Sequence, residues 1–308
     1  MAGYLELYRR GKLCERVEAA LSSLETCCVC PRSCGVNRLA GDIGKCRTSR
    51  QAIVSSYGAH FGEEAPLVGR YGSGTIFFAN CNLGCLFCQN YSISQLGEGQ
   101  KVDKEELLDI MLSLQERGCY NINLVSPTHV VPQILEALEM AAESGLHLPL
   151  VYNGGYDSVE TLKILDDIVD IYMPDVKFDD EHTARELSGI GNYPEVNKAA
   201  VKEMHRQTGD LRTNEEGVAQ RGLLVRHLVL PHGLAGTKEI VRFVSEEISR
   251  NTYVNIMAQY RPWYKALQIP GLGRRIPSAE FHEALSFAHE AGLSRLDRIH
   301  PAELLPIL

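Results

Sequence analysis

Ten cysteines stand in this 308-residue chain, and three of them, Cys81, Cys85 and Cys88, form the pattern C-x3-C-x2-C inside ANCNLGCLFCQN. By chance a specified cysteine triple is expected about 0.01 times in a chain of this length and cysteine content. The spacing therefore carries information. Structural zinc takes four protein ligands. Three thiolates in a loop suit a [4Fe-4S] cluster with one iron left without a protein ligand, open to a substrate or cofactor. Spacings of four and three would also put the three thiols on one face of a buried helix. Asn80, Asn82, Gly84 and Asn90 favour a loop over that helix.

A second group, Cys27-x2-Cys30-x3-Cys34-x11-Cys46, lies in a stretch with few apolar residues. Such a stretch buries little apolar area and needs another constraint, such as a bound metal. Pro31, Gly35, Gly41 and Gly44 make turns that can gather the four thiols, and Cys28 is an alternative to Cys27. Zinc there would be structural, whereas a second iron–sulfur cluster would relay electrons; spacing does not choose between them. Cys14 and Cys119 are expected to pack in the core. The start of the chain, MAGYLELYRRGKLCERVEAALSSLE, is charged throughout and reads as an amphipathic helix over 4–24 rather than a secretory signal. No apolar run approaches a membrane span. A cytoplasmic, reducing setting is the expectation, which disfavours a disulfide reading of the thiols.

The elements that must position these groups follow from periodicity. Short apolar runs at 75–79, 122–126, 149–152, 169–173, 223–230 and 253–257 alternate with helical patterns at 103–117, 131–144, 158–166, 194–208, 237–249 and 278–291. Asp103 with Glu106 reads as a capping box, and Gly118 and Gly145 stand where helices end. Six β/α units in a row predict a parallel sheet covered by helices. Their length favours an incomplete barrel, a partial (β/α)6 TIM-like α/β fold with a Cys-rich N-terminal extension, over an open doubly wound sheet. Periodicity carries no closure signal. The division expected is 1–50 for the N-terminal helix and metal-binding segment and 51–308 for the barrel. Short strands are expected around 53–57, and the polar stretch 209–222 reads as an exposed loop. The cysteine triple follows the first strand of the barrel, at the strand end where β/α folds place their chemistry.

Composition bounds the function classes. Hydrophobic residues make up 44% and charged residues 23%, and the formal net charge is −8. These are the proportions of a globular enzyme, not of a disordered, collagenous or coiled-coil chain. The acidic balance gives no overall pull toward nucleic acid or anionic lipid.

With C-x3-C-x2-C after the first strand of a β/α barrel, the chain resembles the radical S-adenosylmethionine (SAM) superfamily. Within it, the chain is most similar to the PflX-type proteins related to pyruvate formate-lyase activating enzyme. The resemblance runs through CVCPRSCGVNRLAGDIGKC, SGTIFFANCNLGCLFCQNYSIS, NINLVSPTHVVPQIL, LPLVYNGGYD, DIYMPDVK, LLVRHLVLP and YVNIMAQYRP. It implies that SAM chelates the open iron through its amino and carboxylate groups. One electron from the reduced cluster then breaks the bond from sulfur to C5′, and the 5′-deoxyadenosyl radical abstracts a hydrogen from a substrate. A dry, closed barrel is required, because such a radical attacks whatever C–H it meets.

The resemblance carries over residue by residue. Cys81, Cys85 and Cys88 would hold the cluster. Ser126-Pro127-Thr128-His129 stands where the superfamily usually has Gly-Gly-Glu, so Ser126 and Thr128 would supply oxygens to SAM. Asn153 in Tyr152-Asn153-Gly154-Gly155 has the donor and acceptor to hold a carboxylate or ribose. Asp175-Val176-Lys177 is similar to the activating enzymes' Asp-x-Lys: Asp175 would take ribose hydroxyls or the amino group, and Lys177 a carboxylate. Residues two apart on a strand share a face, so these two also have the simpler option of pairing. Arg226 and Gln259-Tyr260-Arg261 complete the candidates, and His129, His227 and His232 read as satisfied polar groups or pocket residues. A reductant such as flavodoxin or ferredoxin is the family expectation, and a glycyl radical enzyme is one expected partner. The competing classes are a radical SAM enzyme acting on a small molecule, an iron–sulfur electron carrier and a zinc-stabilised binding protein. An electron carrier needs no six-unit barrel, and a zinc protein would leave the triple one ligand short. The 209–222 loop and the tail after Gly292 are expected docking elements.

Overall fold

The computed structural model describes residues 2–297. Two short helices, α1 (Gly3–Arg9) and α2 (Leu13–Ser22), replace the single helix expected over 4–24. The break is Gly11, whose φ of 65° is left-handed and open to glycine without strain. The strands and helices then alternate as β1 (Ala52–His60), α3 (Ala65–Val68), β2 (Ser73–Phe78), α4 (Tyr91–Ser94), β3 (Gln100–Val102), α5 (Lys104–Glu116), β4 (Ile122–Val125), α6 (Val131–Glu143), β5 (Leu150–Asn153), α7 (Val159–Ile164) and β6 (Ile171–Tyr172). They continue as α8 (Glu181–Ser188), α9 (Tyr193–Thr208), β7 (Arg212–Thr213), β8 (Ala219–Leu228), α10 (Thr237–Phe243), β9 (Tyr253–Met257) and α11 (Ser278–Glu290).

Strands β2, β4, β5, β6, β8 and β9 pair in parallel in that order. They form the arc of a partial β/α barrel, as six apolar runs separated by helices require. Beyond β2 the sheet continues with antiparallel β1 and β3, which the sequence shows only as a short apolar stretch. The 209–222 stretch is not all loop. It supplies β7, antiparallel to β8, and the early start of β8 at Ala219.

Local rules place the helices. Asp103 accepts from the Glu106 amide at 2.9 Å and the Glu106 carboxylate accepts from the Asp103 amide at 2.9 Å, closing the capping box of α5. Gly118 and Gly145 end α5 and α6 with left-handed φ. The main core lies between the sheet and the helices. It includes Tyr4, Leu13, Val17, Leu24, Cys27 and Val29, so the N-terminal residues share the core of the barrel. Leu67 of α3 joins Val151, Ile171, Met173 and Leu224 in a separate buried apolar cluster. Cys119 is buried as expected, but Cys14 is exposed: α2 turns it away from the core, and its thiol donates to the Gly11 carbonyl. Among the described residues no helix is long and apolar enough to cross a membrane. The tail after Gly292 falls mostly outside the described residues.

Candidate active site

The C-terminal ends of the parallel strands surround a cavity of about 190 Å³. Its lining includes Cys81, Cys85, Cys88, Ser126, Thr128, Asn153, Asp175, Lys177, Arg226 and Gln259, so all ten pocket candidates meet in one place. They arrive from six strands: the cysteines after β2, Ser126 and Thr128 after β4, Asn153 at the end of β5. Asp175 and Lys177 follow β6, Arg226 lies in β8 and Gln259 follows β9.

The cysteine segment is a loop, as its Asn and Gly content predicts. Asn80 adopts a left-handed φ of 67° and turns the chain off β2. The Asn82 amide donates to the Tyr156 carbonyl at 2.7 Å, and the Gly84 and Leu86 amides donate to Ser188 and Leu187 carbonyls. Leu83 and Phe87 anchor the loop in an apolar cluster with Tyr156, Phe178, Tyr193 and Tyr260. Burial pushes the Cys81 thiol up to about 11 and the Cys85 thiol up to about 12, despite the opposing charge of Lys177. The chain alone therefore holds Cys81 and Cys85 as neutral thiols; a bound metal would convert them to thiolates. Cys88 shares a 3.1 Å hydrogen bond with the Ser94 hydroxyl.

Asp175 is the electrostatic centre of the opposite wall. Its Oδ2 accepts from Lys177 Nζ at 2.5 Å and its Oδ1 from Arg226 Nε at 2.8 Å. Burial alone would raise this carboxyl, but Arg226 and Lys177 outweigh it and hold the group at about 2. Arg226 is approached from the other side by Glu64 at 3.7 Å and Glu63 at 3.9 Å. Burial raises the Glu64 carboxyl; at Glu63 the His60 hydrogen bond and Arg226 outweigh burial and lower it. Lys177 and Arg226 are thus cations neutralised within the wall, and a ligand carboxylate entering here meets an ionised network rather than a lone charge.

The turn after β5 is built by Asp157, which sequence reasoning missed. Its carboxylate accepts from Thr128 Oγ1 at 2.5 Å, Tyr152 OH at 2.7 Å and the Gly155 amide at 2.8 Å. A Cβ at Gly154 would stand 2.6 Å from Tyr152 Cε1 and 2.7 Å from Asp157 Oδ2, so only glycine fits. Thr128 is therefore committed to Asp157 in the chain alone. The Tyr-Asn-Gly-Gly-Tyr-Asp run carried this signal through its glycines. Glu63 and Glu64 had none, since they lie in an irregular stretch.

His129 and His227 are buried and hydrogen-bonded within the fold. The His129 ring bonds the Ala79 carbonyl at 3.0 Å, and the His227 ring bonds the Val176 carbonyl at 2.7 Å and the Thr237 hydroxyl at 2.8 Å. His232 is exposed. Tyr260 is buried and donates to the Leu272 carbonyl, and Arg261 points to solvent.

Cys27, Cys30, Cys34 and Cys46 lie on the irregular segment that packs behind the catalytic loop. The segment folds back on itself at these cysteines: Cys27 pairs through its backbone with Gly35 and Val36, and a side chain at Gly44 would collide with the Cys34 sulfur. Among the described residues no three Cys, His, Asp or Glu side chains stand at metal-ligating distance, in this region or in the pocket.

A partial β/α barrel thus carries a thiol-bearing loop on its first parallel strand, facing hydroxyl, amide and charged groups from the other five. The sequence profile of the Radical SAM superfamily matches residues 75–213. The uncharacterized protein MJ0674 of Methanocaldococcus jannaschii is 31% identical over 300 residues, 94% of this chain and 82% of that protein. A second uncharacterized protein of that organism, MJ0808, is 24% identical, over 87% of this chain and 78% of its own length. Among solved structures, a radical SAM methyltransferase from Sphaerobacter thermophilus matches with a TM-score of 0.50 at 15% identity, over 71% of this chain and 64% of that one. The chain thus spans just under two thirds of that methyltransferase, and the likeness is one of fold. The chain belongs to the radical SAM superfamily. Membership implies an enzyme that uses a [4Fe-4S] cluster and SAM for radical chemistry, with a reductant to supply electrons.

Proposed function

We propose that Cys81, Cys85 and Cys88 hold the [4Fe-4S] cluster and that the polar wall facing them takes SAM. The observation that carries this reading is the convergence of ten residues, drawn from six strand ends, on one cavity. The donor set fits: three thiols on one loop leave an iron free, and that loop lines the same cavity as Asp175, Lys177 and Arg226. When bound, cluster and SAM supply a reductively generated 5′-deoxyadenosyl radical. The chain's part is to bind and shield. Asp175 accepts donor groups of SAM, while Lys177 and Arg226 hold Asp175 ionised. Asn153 and Gln259 supply amides to the ligand, Ser126 adds an oxygen, and Thr128 positions the β5 turn through Asp157. Leu83 and Phe87 exclude water behind the loop. Residues 51–308 form the catalytic barrel in this reading, and residues 1–50 a metal-binding extension at Cys27, Cys30, Cys34 and Cys46.

The target we favour is a macromolecule, by analogy with pyruvate formate-lyase activating enzyme, with a glycyl radical enzyme as the specific candidate. The exposed apolar residues Leu96, Trp263 and Leu267 support this. They border the catalytic loop, since Lys265 donates to the Leu86 carbonyl and Tyr264 stacks on Tyr91. A flavodoxin or ferredoxin is the proposed reductant, and the cytoplasm the proposed compartment. The test is anaerobic reconstitution with iron and sulfide, followed by dithionite, SAM and an assay for 5′-deoxyadenosine. Product that vanishes in Cys85→Ala is the expected result. An intact, reducible cluster that yields no product overturns the reading.

A further inference from the structure

We propose that Cys27, Cys30, Cys34 and Cys46 hold a second [4Fe-4S] cluster that passes electrons from a protein donor to the catalytic cluster. This rests on the assignment of Cys81, Cys85 and Cys88 to the catalytic cluster.

Three features of the segment point to an anionic metal group. Arg38 is completely buried, with Nε donating to the Ser49 carbonyl at 3.0 Å and Nη1 to the His129 carbonyl at 2.8 Å. Nη1 also lies 3.9 Å from the Cys27 sulfur, and among the described residues Nη2 has no hydrogen-bond partner. A buried cation with an unused donor is costly unless an anion stands beside it. A thiolate-ligated iron–sulfur group is such an anion, and N–H donors to its sulfurs tune its potential. The backbone is also shaped for the thiols. Gly35 and Val36 pair with Cys27, and a side chain at Gly44 would collide with the Cys34 sulfur. The thiols of the chain alone stand beyond ligating distance, as do those of the catalytic loop.

Position separates a relay from a structural zinc. The segment is bolted to the catalytic loop: Arg32 donates to the Asn82 carbonyl at 2.9 Å, and Arg47 donates to the Ser94 and Gln95 carbonyls. The Asn82 side-chain oxygen lies 3.9 Å from the Cys81 sulfur. The residue whose carbonyl Arg32 holds thus also touches a thiol of the catalytic loop. The outer side of the same segment faces solvent, with Leu39 43% and Ile43 59% exposed. A group with one side open to a donor and the other against the catalytic loop is placed to carry charge; a zinc staple needs neither. The step balances as a one-electron transfer. A reduced donor of the flavodoxin or ferredoxin class loses one electron, the second cluster gains it and yields it to the catalytic cluster, and no proton or atom moves.

Two experiments test this. The triple variant Cys81→Ala, Cys85→Ala, Cys88→Ala, reconstituted anaerobically, should retain about four irons and four sulfides per chain and show a paramagnetic signal on reduction. Zinc in their place, or no iron, overturns the relay and leaves the catalytic assignment standing. In the full enzyme, Cys30→Ala with Cys46→Ala should lose at least about tenfold more SAM cleavage with reduced flavodoxin than with dithionite, which reaches the catalytic loop directly. Equal losses with both reductants, or none, also overturn it. If that variant fails to fold, the iron count in the triple variant decides. Failure of the parent enzyme to cleave SAM with dithionite would instead remove the catalytic assignment, while the iron count still reports on the second cluster.

Discussion

The two cysteine regions hold the same ligand type in opposite kinds of scaffold. Cys81, Cys85 and Cys88 sit on a loop that a parallel strand launches and an apolar cluster anchors. Cys27, Cys30, Cys34 and Cys46 lie in a stretch without helix or strand. Their fixity comes from Arg32, Arg38 and Arg47, whose guanidinium groups donate to six acceptors, all but one of them backbone carbonyls. The first site borrows rigidity from the sheet. The second replaces missing apolar burial with charge-assisted hydrogen bonds, and it leaves one donor of Arg38 unused. A site of the first kind should survive loss of its metal. A site of the second kind should need its metal to be fully stable.

The sharpest break in this comparison is catalytic. Cys85→Ala should lower 5′-deoxyadenosine formation at least about 10³-fold while leaving thermal unfolding of the metal-free chain nearly unchanged, because the sheet holds the loop. A parallel collapse of stability would show that the loop relies on its metal after all. Next comes the charged wall. Asp175→Asn strips Lys177 and Arg226 of their shared partner, and breaking a buried pair from one side costs about 4 kcal/mol. Urea unfolding measures this, and a change under about 0.5 kcal/mol would mean that the two cations find water instead. On the other side, Arg38→Met removes two charge-assisted bonds to carbonyls, worth about 3 kcal/mol together. That loss should grow when the protein is loaded with iron and sulfide. If it shrinks, Arg38 does not face an anionic group.

Much of this contrast was legible in the sequence, for physical reasons. The strand ends were visible because apolar runs and capping signals repeat six times, and the residues just past each run had to reach one rim. The antiparallel β1 was seen only as a short apolar stretch at 53–57. Its outer residues are exposed, so its apolar alternation fades after Val54. Glu63 and Glu64 were illegible because their burial is set by Arg226, 162 residues later in the chain, and no local pattern records such a pairing. Arg38 was hidden for the same reason: arginine is almost never fully buried, and only its partners at Ser49 and His129 make it so. Cys14 was misplaced because the single expected helix breaks at Gly11, which resets the face that α2 turns to the core.

The finest comparison uses acid, since one buried histidine serves each region. His129 lies under the N-terminal segment, where its carbonyl takes the Arg38 donor and its ring bonds Ala79. His227 supports the strand end that carries Asp175 and Lys177, bonded to Val176 and Thr237. Burial lowers both imidazoles to about 4, against an ordinary value of 6.5. Both are neutral in the fold and take up a proton more readily when it opens. Their stabilisation is therefore present above pH 6.5 and is lost as pH falls from 6.5 toward 4. Between pH 8 and pH 5 each should cost about 2 kcal/mol of stability. Burial raises the carboxyls of Glu64, Asp157 and Asp170, which act in the opposite sense, because their folded-state ionisation cost disappears on acidification. Variants isolate the histidine part. His227→Gln keeps hydrogen-bonding atoms without the titration, so its unfolding free energy should fall less steeply between pH 8 and pH 5 than the parent's, by about 2 kcal/mol. His129→Gln should flatten the profile by a similar amount in the metal-free chain. With a negative cluster held at the N-terminal thiols, a protonated His129 would be better tolerated, so the flattening there should be smaller than at His227. Equal flattening at both positions in the loaded protein would remove the electrostatic distinction between the two regions.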